Sequence, residues 1–246
     1  MSSITYKLDG IYNLLKESYS GSPFLAAIIA GGLASLGLSI DSASTIVAST
    51  LISPIGTFII QANLLSFLKK NKYKGGSIDN LTRSPWYIPV LLIIITTLLI
   101  SYAIGYLFIH VNNPFSKEPL NKHWPTKNMI VNADPMTALY NIPIALLCGI
   151  LLPIIVINNN STGFVAIGVA CSLIPPLANI GLSLNFKYNP MIHKPELKNF
   201  QRNAVLTGFA IFIINLLLLL IPSRLLGGYL LKNNNIFEQI ESVFGF

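Results

Sequence analysis

The stretch Asp41–Gly56, DSASTIVASTLISPIG, decides how the rest of the chain is read. It lies in apolar sequence, yet it opens on an acid and meets a Ser53-Pro54 step near its end. Proline inside a helix removes a backbone hydrogen bond and clashes with the preceding turn. A second stretch, Ala166–Leu184, AIGVACSLIPPLANIGLSL, repeats the pattern with its break at Pro175-Pro176. Leu51-Ile52-Ser53-Pro54 aligns without a gap on Leu173-Ile174-Pro175-Pro176, and small residues lead into both breaks. The pair reads as two interrupted membrane helices, supported by the rest of the chain.

Composition agrees. Of 246 residues, 52% are hydrophobic and only 10% are charged. A soluble domain carries about 25% charged residues, so lipid must be the solvent for much of this surface. Lys plus Arg number 16 and Asp plus Glu 9, but the basic residues cluster in loops beside apolar runs. That placement indicates membrane topology and argues against nucleic-acid binding. The two cysteines, Cys148 and Cys171, fall within apolar segments and read as packing residues.

Six apolar segments follow from the pattern. Residues 1–23 carry Ile4, Leu8, Ile11, Tyr12 and Leu15 at helical spacing and read as an amphipathic surface helix. The first three-helix set occupies 24–110: Phe24–Ile40, Ser42–Leu68 broken at Pro54, and Trp86–His110. A polar, proline-bearing connector spans 111–135. The second set occupies 136–222: Met136–Ile157, Gly163–Leu184 broken at Pro175-Pro176, and Ala204–Ile221. Residues 223–246 form a tail with a possible surface helix on Ile236, Phe237, Ile240, Val243 and Phe244. The expected fold is therefore an all-α polytopic membrane protein with two inverted three-helix repeats. Broken helices that meet near the midplane mark many secondary transporters.

One feature pulls the other way. With six crossings, the basic loops 69–83 and 185–203 lie on opposite sides, whereas the positive-inside rule places both in the cytoplasm. In the rival topology, segments two and five are re-entrant and turn back at their prolines. The length of the interrupted segments favours six crossings.

At these residues the chain resembles the hydrophobic membrane family known as domain of unknown function 389. Asp41, Ser42, Leu51, Ile52, Ser53 and Pro54 match its first motif. Ile174, Pro175, Pro176, Leu177 and Ala178 match its second, and Asn215 matches the asparagine of its last helix. The similarity extends over about residues 24–222. Ala48-Ser49-Thr50 and Gly56 depart from the family pattern and make the first motif more polar. The resemblance implies a multi-pass membrane fold and carries no activity with it.

Candidate pathway-lining or ion-binding residues are Asp41, Ser53, Pro54, Thr57, Pro175, Pro176, Asn179 and Asn215. At each break, freed carbonyls must find partners in the protein or line a watery cavity. A static kink satisfied by neighbours is the simpler alternative. Asp41 reads either as a cap for segment two, with Ser42 and Ser44 nearby, or as a ligand at a pathway mouth. Buried amides can likewise be interhelical hydrogen-bond partners. No nucleophile–base set, metal-ligand spacing or phosphate loop is present, so neither enzyme activity nor a cofactor is expected. The leading expectation is a small channel or transporter for an ion or small solute. It would be a homo-oligomer in contact with membrane lipids, joined through the Gly/Ala-rich Phe24–Ile40 helix. The alternative is a membrane-organising scaffold that acts through its surface helices and basic loops.

Overall fold

The computed structural model describes residues 23–55, 87–111, 123–157, 173–188 and 195–232. The expected surface helices at the two termini, the 69–83 loop, Thr57, Gln61, Asn63, the 158–162 turn, Cys171 and Ser172 lie outside the described residues. Among those described, all regular structure is helical. The helices are α1 (Pro23–Ser39), α2 (Ala43–Ile52), α3 (Tyr87–His110), α4 (Lys127–Val131), α5 (Pro135–Ile157), α6 (Ile174–Leu184) and α7 (Pro195–Lys232), with a 3-10 turn at Asn185–Tyr188. Three stretches are long and apolar enough to cross a membrane: Val90–His110, Pro135–Ile155 and Asn199–Gly227. Most of their exposed residues are apolar, including Leu99, Leu147 and Leu206, as a lipid-facing surface requires, and the exposed His110, Asn199, Arg202 and Arg224 lie near the ends of the stretches.

The expected segments α1, α3 and α5 appear within a residue or two of their sequence bounds. Pro143 and Pro153 sit inside α5, and Pro222 inside α7, without ending either helix. α7 corrects the sequence boundaries at both ends. It begins at Pro195, inside the expected basic loop, and runs past Ile221 to Lys232.

α1 and α2 form a tight hairpin. Asp41 makes the turn with φ 59°, the left-handed region that aspartate tolerates better than most residues. A Cβ on Gly37 would lie 2.8 Å from the Ile46 side chain, so only glycine lets α2 fold back this closely.

α6 is the centre of the molecule. Every residue from Ile174 to Ser183 is buried, and the helix packs on α1, α2, α3 and α7. Without water inside a bilayer, such association depends on close packing, which small residues allow. Gly181 is the sharpest case: a Cβ there would lie 2.5 Å from the Ser101 Cβ and 2.8 Å from the Leu98 carbonyl of α3.

Contacts fix the helix directions. Gly31, Gly32 and Ser35 of α1 meet Thr97, Ile100 and Ser101 of α3 in the same order, so α1 and α3 run parallel. Phe186 meets Phe200, and Pro176 and Ile180 meet Gly208, so α6 and α7 run antiparallel.

One end of the bundle is organised by Trp124. Its indole N–H donates to the Ser39 carbonyl at 3.1 Å. Its ring stacks on Phe108 near the end of α3 and tilts against Phe186 just past α6. The C-terminal ends of α1, α3 and α6 therefore gather at this end. The connector expected to be merely polar is, from Trp124 onward, part of the packed structure: Trp124, Thr126, Met129 and Ala133 are all buried.

Candidate functional site

The two breaks differ in form. Ser53 precedes a proline, which disfavours helical backbone, and it is extended at φ −64° and ψ 125°. α2 ends there. The Ile55 N–H donates to the Ser53 hydroxyl at 3.3 Å, not to the carbonyl one turn back. Pro54 has no N–H to offer the carbonyl of Thr50. At the second break the order is reversed, because Pro175 and Pro176 lie in the first turn of α6. Proline is tolerated there, since first-turn N–H groups have no intrahelical acceptor. Leu173 caps this helix with no side-chain hydrogen bond.

Depth follows from length. α2 has 10 residues and runs inward from the Trp124 end; α6 has 11 residues and runs out to it. At 1.5 Å per residue both breaks lie about 15 Å from that end, half the thickness of a bilayer's hydrocarbon core. A carbonyl end of one half-helix and an N-terminal end of the other thus occur at a similar level.

A polar thread runs inward from the exposed end. The Asp41 carboxylate accepts from the Asn128 backbone N–H at 2.8 Å and from its side-chain amide at 2.7 Å. The Thr126 hydroxyl donates to the Leu38 carbonyl at 2.6 Å and accepts from the Met129 N–H at 3.3 Å, capping α4. The Met129 carbonyl in turn accepts from Asn179 Nδ2 at 2.9 Å. Asn179 is wholly buried, and its Oδ1 accepts no hydrogen bond. Asn215 Oδ1 on α7 is buried in the same condition. Asn215 lies two turns beyond Gly208, whose neighbours are Pro176 and Ile180. In an antiparallel pair that register carries Asn215 about 10 Å beyond Gly208, past the start of α6 and away from Asn179.

The candidates expected from sequence are therefore distributed as follows. Pro175, Pro176 and Asn179 are buried on α6; Ser53 and Pro54 are half-buried at the end of α2; Asn215 is buried on α7; Asp41 is exposed. α4 links Asp41 to Asn179 through adjacent residues, Asn128 and Met129. Thr57 lies outside the described residues. The capping reading of Asp41 is corrected: Ser42 caps α2 by accepting from the Thr45 N–H, while Asp41 is bound to α4.

The small-residue face of α1, in the helix expected to join two copies, packs within the chain. Ala27, Ala30 and Ala34 are fully buried within the chain. Ser35 donates to the Gly31 carbonyl and lies 2.7 Å from the Ser101 hydroxyl. That face is already occupied by α2, α3 and α6.

Sequence reasoning missed Trp124, Thr126, Asn128 and Met129. A threonine directly before Lys127–Val131 was the available signal, since threonine caps helices. Asn185 was also missed; its amide donates to the Tyr102 carbonyl at 2.9 Å and ties the end of α6 to α3.

Among the described residues, no three of His, Cys, Asp and Glu group as a metal site would require. The model of one family, described as Domain of unknown function (DUF389), matches residues 76–221, more than half of the chain. The match starts beyond the first motif, so Asp41–Pro54 stand outside it. No curated protein matches the chain.

Proposed function

The chain belongs to the DUF389 family, and we propose that it is a multi-pass membrane channel or transporter for an ion or small solute. The pathway passes between the breaks of α2 and α6. One observation carries this reading: α2 stops and α6 starts at a similar depth in the bundle, and Asn179, just over one turn into α6, keeps a buried unused acceptor. Half-helices that end near a midplane form the substrate sites of many transporters.

The reading includes six crossings in two inverted sets of three. Parallel α1 and α3 support it. An intervening segment that crosses returns the chain to its starting side, so the flanking helices run the same way. A re-entrant segment would make them antiparallel. The hydrogen bond between Asp41 and Asn128 supports the same topology, because it joins the first interhelical turn to the connector after α3. Assembly into a homo-oligomer remains part of the proposal, through faces other than the small-residue face of α1.

The test is flux in liposomes reconstituted with the full chain. The wild type passes a small ion or solute, and Pro176→Leu combined with Asn179→Leu abolishes the passage. Lipid remodelling by a normally inserted protein with no flux for any probe would overturn the proposal in favour of a scaffold.

A further inference from the structure

The connector closes the Trp124 end of the bundle, and its fastenings are of two kinds. The inner ones are buried. Trp124 donates to the Ser39 carbonyl, Thr126 to the Leu38 carbonyl, and Asn179 to the Met129 carbonyl. α4 packs on α1 and α7, and the Met129 side chain is wholly buried. Asn179 lies five residues before the end of α6, so the connector meets α6 about 8 Å inside its outer end. The outer fastening is exposed. The Asp41 carboxylate accepts from the Asn128 backbone N–H and side-chain amide where water competes for the same groups.

What the connector covers is left unsatisfied. Among the described residues, four buried side-chain atoms have no hydrogen-bond partner. Two of them, Ser39 Oγ and Asn179 Oδ1, belong to residues that the connector itself binds. The Asn179 amide has a determined orientation, because the Met129 carbonyl can only accept. Its Oδ1 is therefore a dry acceptor, which is costly, and hydration would relieve that cost. The closed arrangement thus carries a penalty that lifting α4 removes, since water then reaches Asn179 and Ser39.

We infer that residues 126–133 form a movable plug over the outer end of α6, with the Asp41–Asn128 bonds as its latch. Trp124, packed against Phe108 and Phe186, is its fixed end. As the gate of a permeation path the plug rests on the transport reading given above; as a movable cover it rests on these contacts alone.

The experiment measures thiol access in the full chain reconstituted in liposomes, with Cys148 and Cys171 replaced by alanine. Ser183→Cys places a thiol on the face of α6 that carries Asn179, one turn further out, at a wholly buried position. Its rate of modification by methanethiosulfonate ethylammonium is read with Asp41 in place and with Asp41→Gly. Glycine suits the left-handed turn at φ 59°, so this variant keeps the turn and removes the latch. Asp41→Gly is expected to speed the modification about tenfold, the factor that a charge-assisted hydrogen bond supplies. A Thr97→Cys thiol, wholly buried between α1 and α3, stays protected in both backgrounds. Ser39→Cys takes the place of Ser183→Cys if that variant does not insert. Equal rates with and without the Asp41 carboxylate overturn the inference. So does equal acceleration at Thr97→Cys, which marks loosening of the whole bundle. Flux is recorded on the same vesicles. Faster modification without flux in any variant overturns the transport reading and leaves the plug standing, and unchanged modification with flux does the reverse.

Discussion

Asn179 holds the connector with one atom of its amide and keeps the other unpaired. Substitution by leucine removes the donor and strands the Met129 carbonyl in a buried setting. The expected loss of stability is about 1–3 kcal/mol, seen as a lower thermal unfolding midpoint in detergent. Ser183 provides the contrast. Its hydroxyl only bonds back to the Ile180 carbonyl within the same helix, an interaction that adds little. Ser183→Ala should leave the midpoint nearly unchanged, and an equal drop for both variants would refute the role given to Asn179. Gly181→Val is the steric counterpart. Its side chain would displace Ser101 and the backbone of α3, with a cost of about 1–3 kcal/mol for overpacking. At this scale, sequence identified Asn179 and Asp41, because a polar residue in an apolar run is conspicuous. It could not identify their partners. The Met129 acceptor is a backbone carbonyl, which every residue has, and the Asp41–Asn128 bond joins residues 87 apart.

Among the elements, α4 and the turn before it are the least expected and the most testable. A five-residue helix cannot sustain itself alone, so α4 persists through its attachments to the ends of α1 and α6. Trp124 supplies the largest of these. Trp124→Ala removes the stacking on Phe108, the contact with Phe186 and the bond to the Ser39 carbonyl. Truncating a buried tryptophan typically costs about 3–5 kcal/mol. Limited proteolysis should then cut near 124–134, while circular dichroism retains the long helices. Resistance equal to wild type would show that the connector does not depend on Trp124. The long helices were legible because each crossing needs about 20 apolar residues, and nothing else in a protein of this size does. The breaks were legible because proline has a definite backbone consequence. The connector was not. Its prolines and polar residues have the composition of a loop, and its burial comes from a few anchors at no regular period.

For the whole molecule, the decisive quantity is the side on which each loop emerges. Loop charge alone left two topologies open, since residues 69–83 and 185–203 are both basic. Helix direction supports the proposed six crossings where charge does not, because a chain that crosses between α1 and α3 leaves them parallel, as they are. The same logic sets three loops on one side. The Asp41 turn, the connector and the chain leaving α6 share the Trp124 end, and the proposed topology predicts loop 69–83 on the opposite side. Single cysteines, introduced after Cys148 and Cys171 are replaced by alanine, turn this into a measurement. Ser44→Cys and Lys127→Cys should react with an impermeant maleimide from one face of sealed vesicles, and Lys74→Cys only from the opposite face. Re-entrant segments would give another pattern, with Ser44 and Lys74 labelled from one face and Lys127 from the other. The variants at residues 44 and 127 decide the matter, since the hydrogen bond between Asp41 and Asn128 cannot exist with their loops on opposite sides of a bilayer.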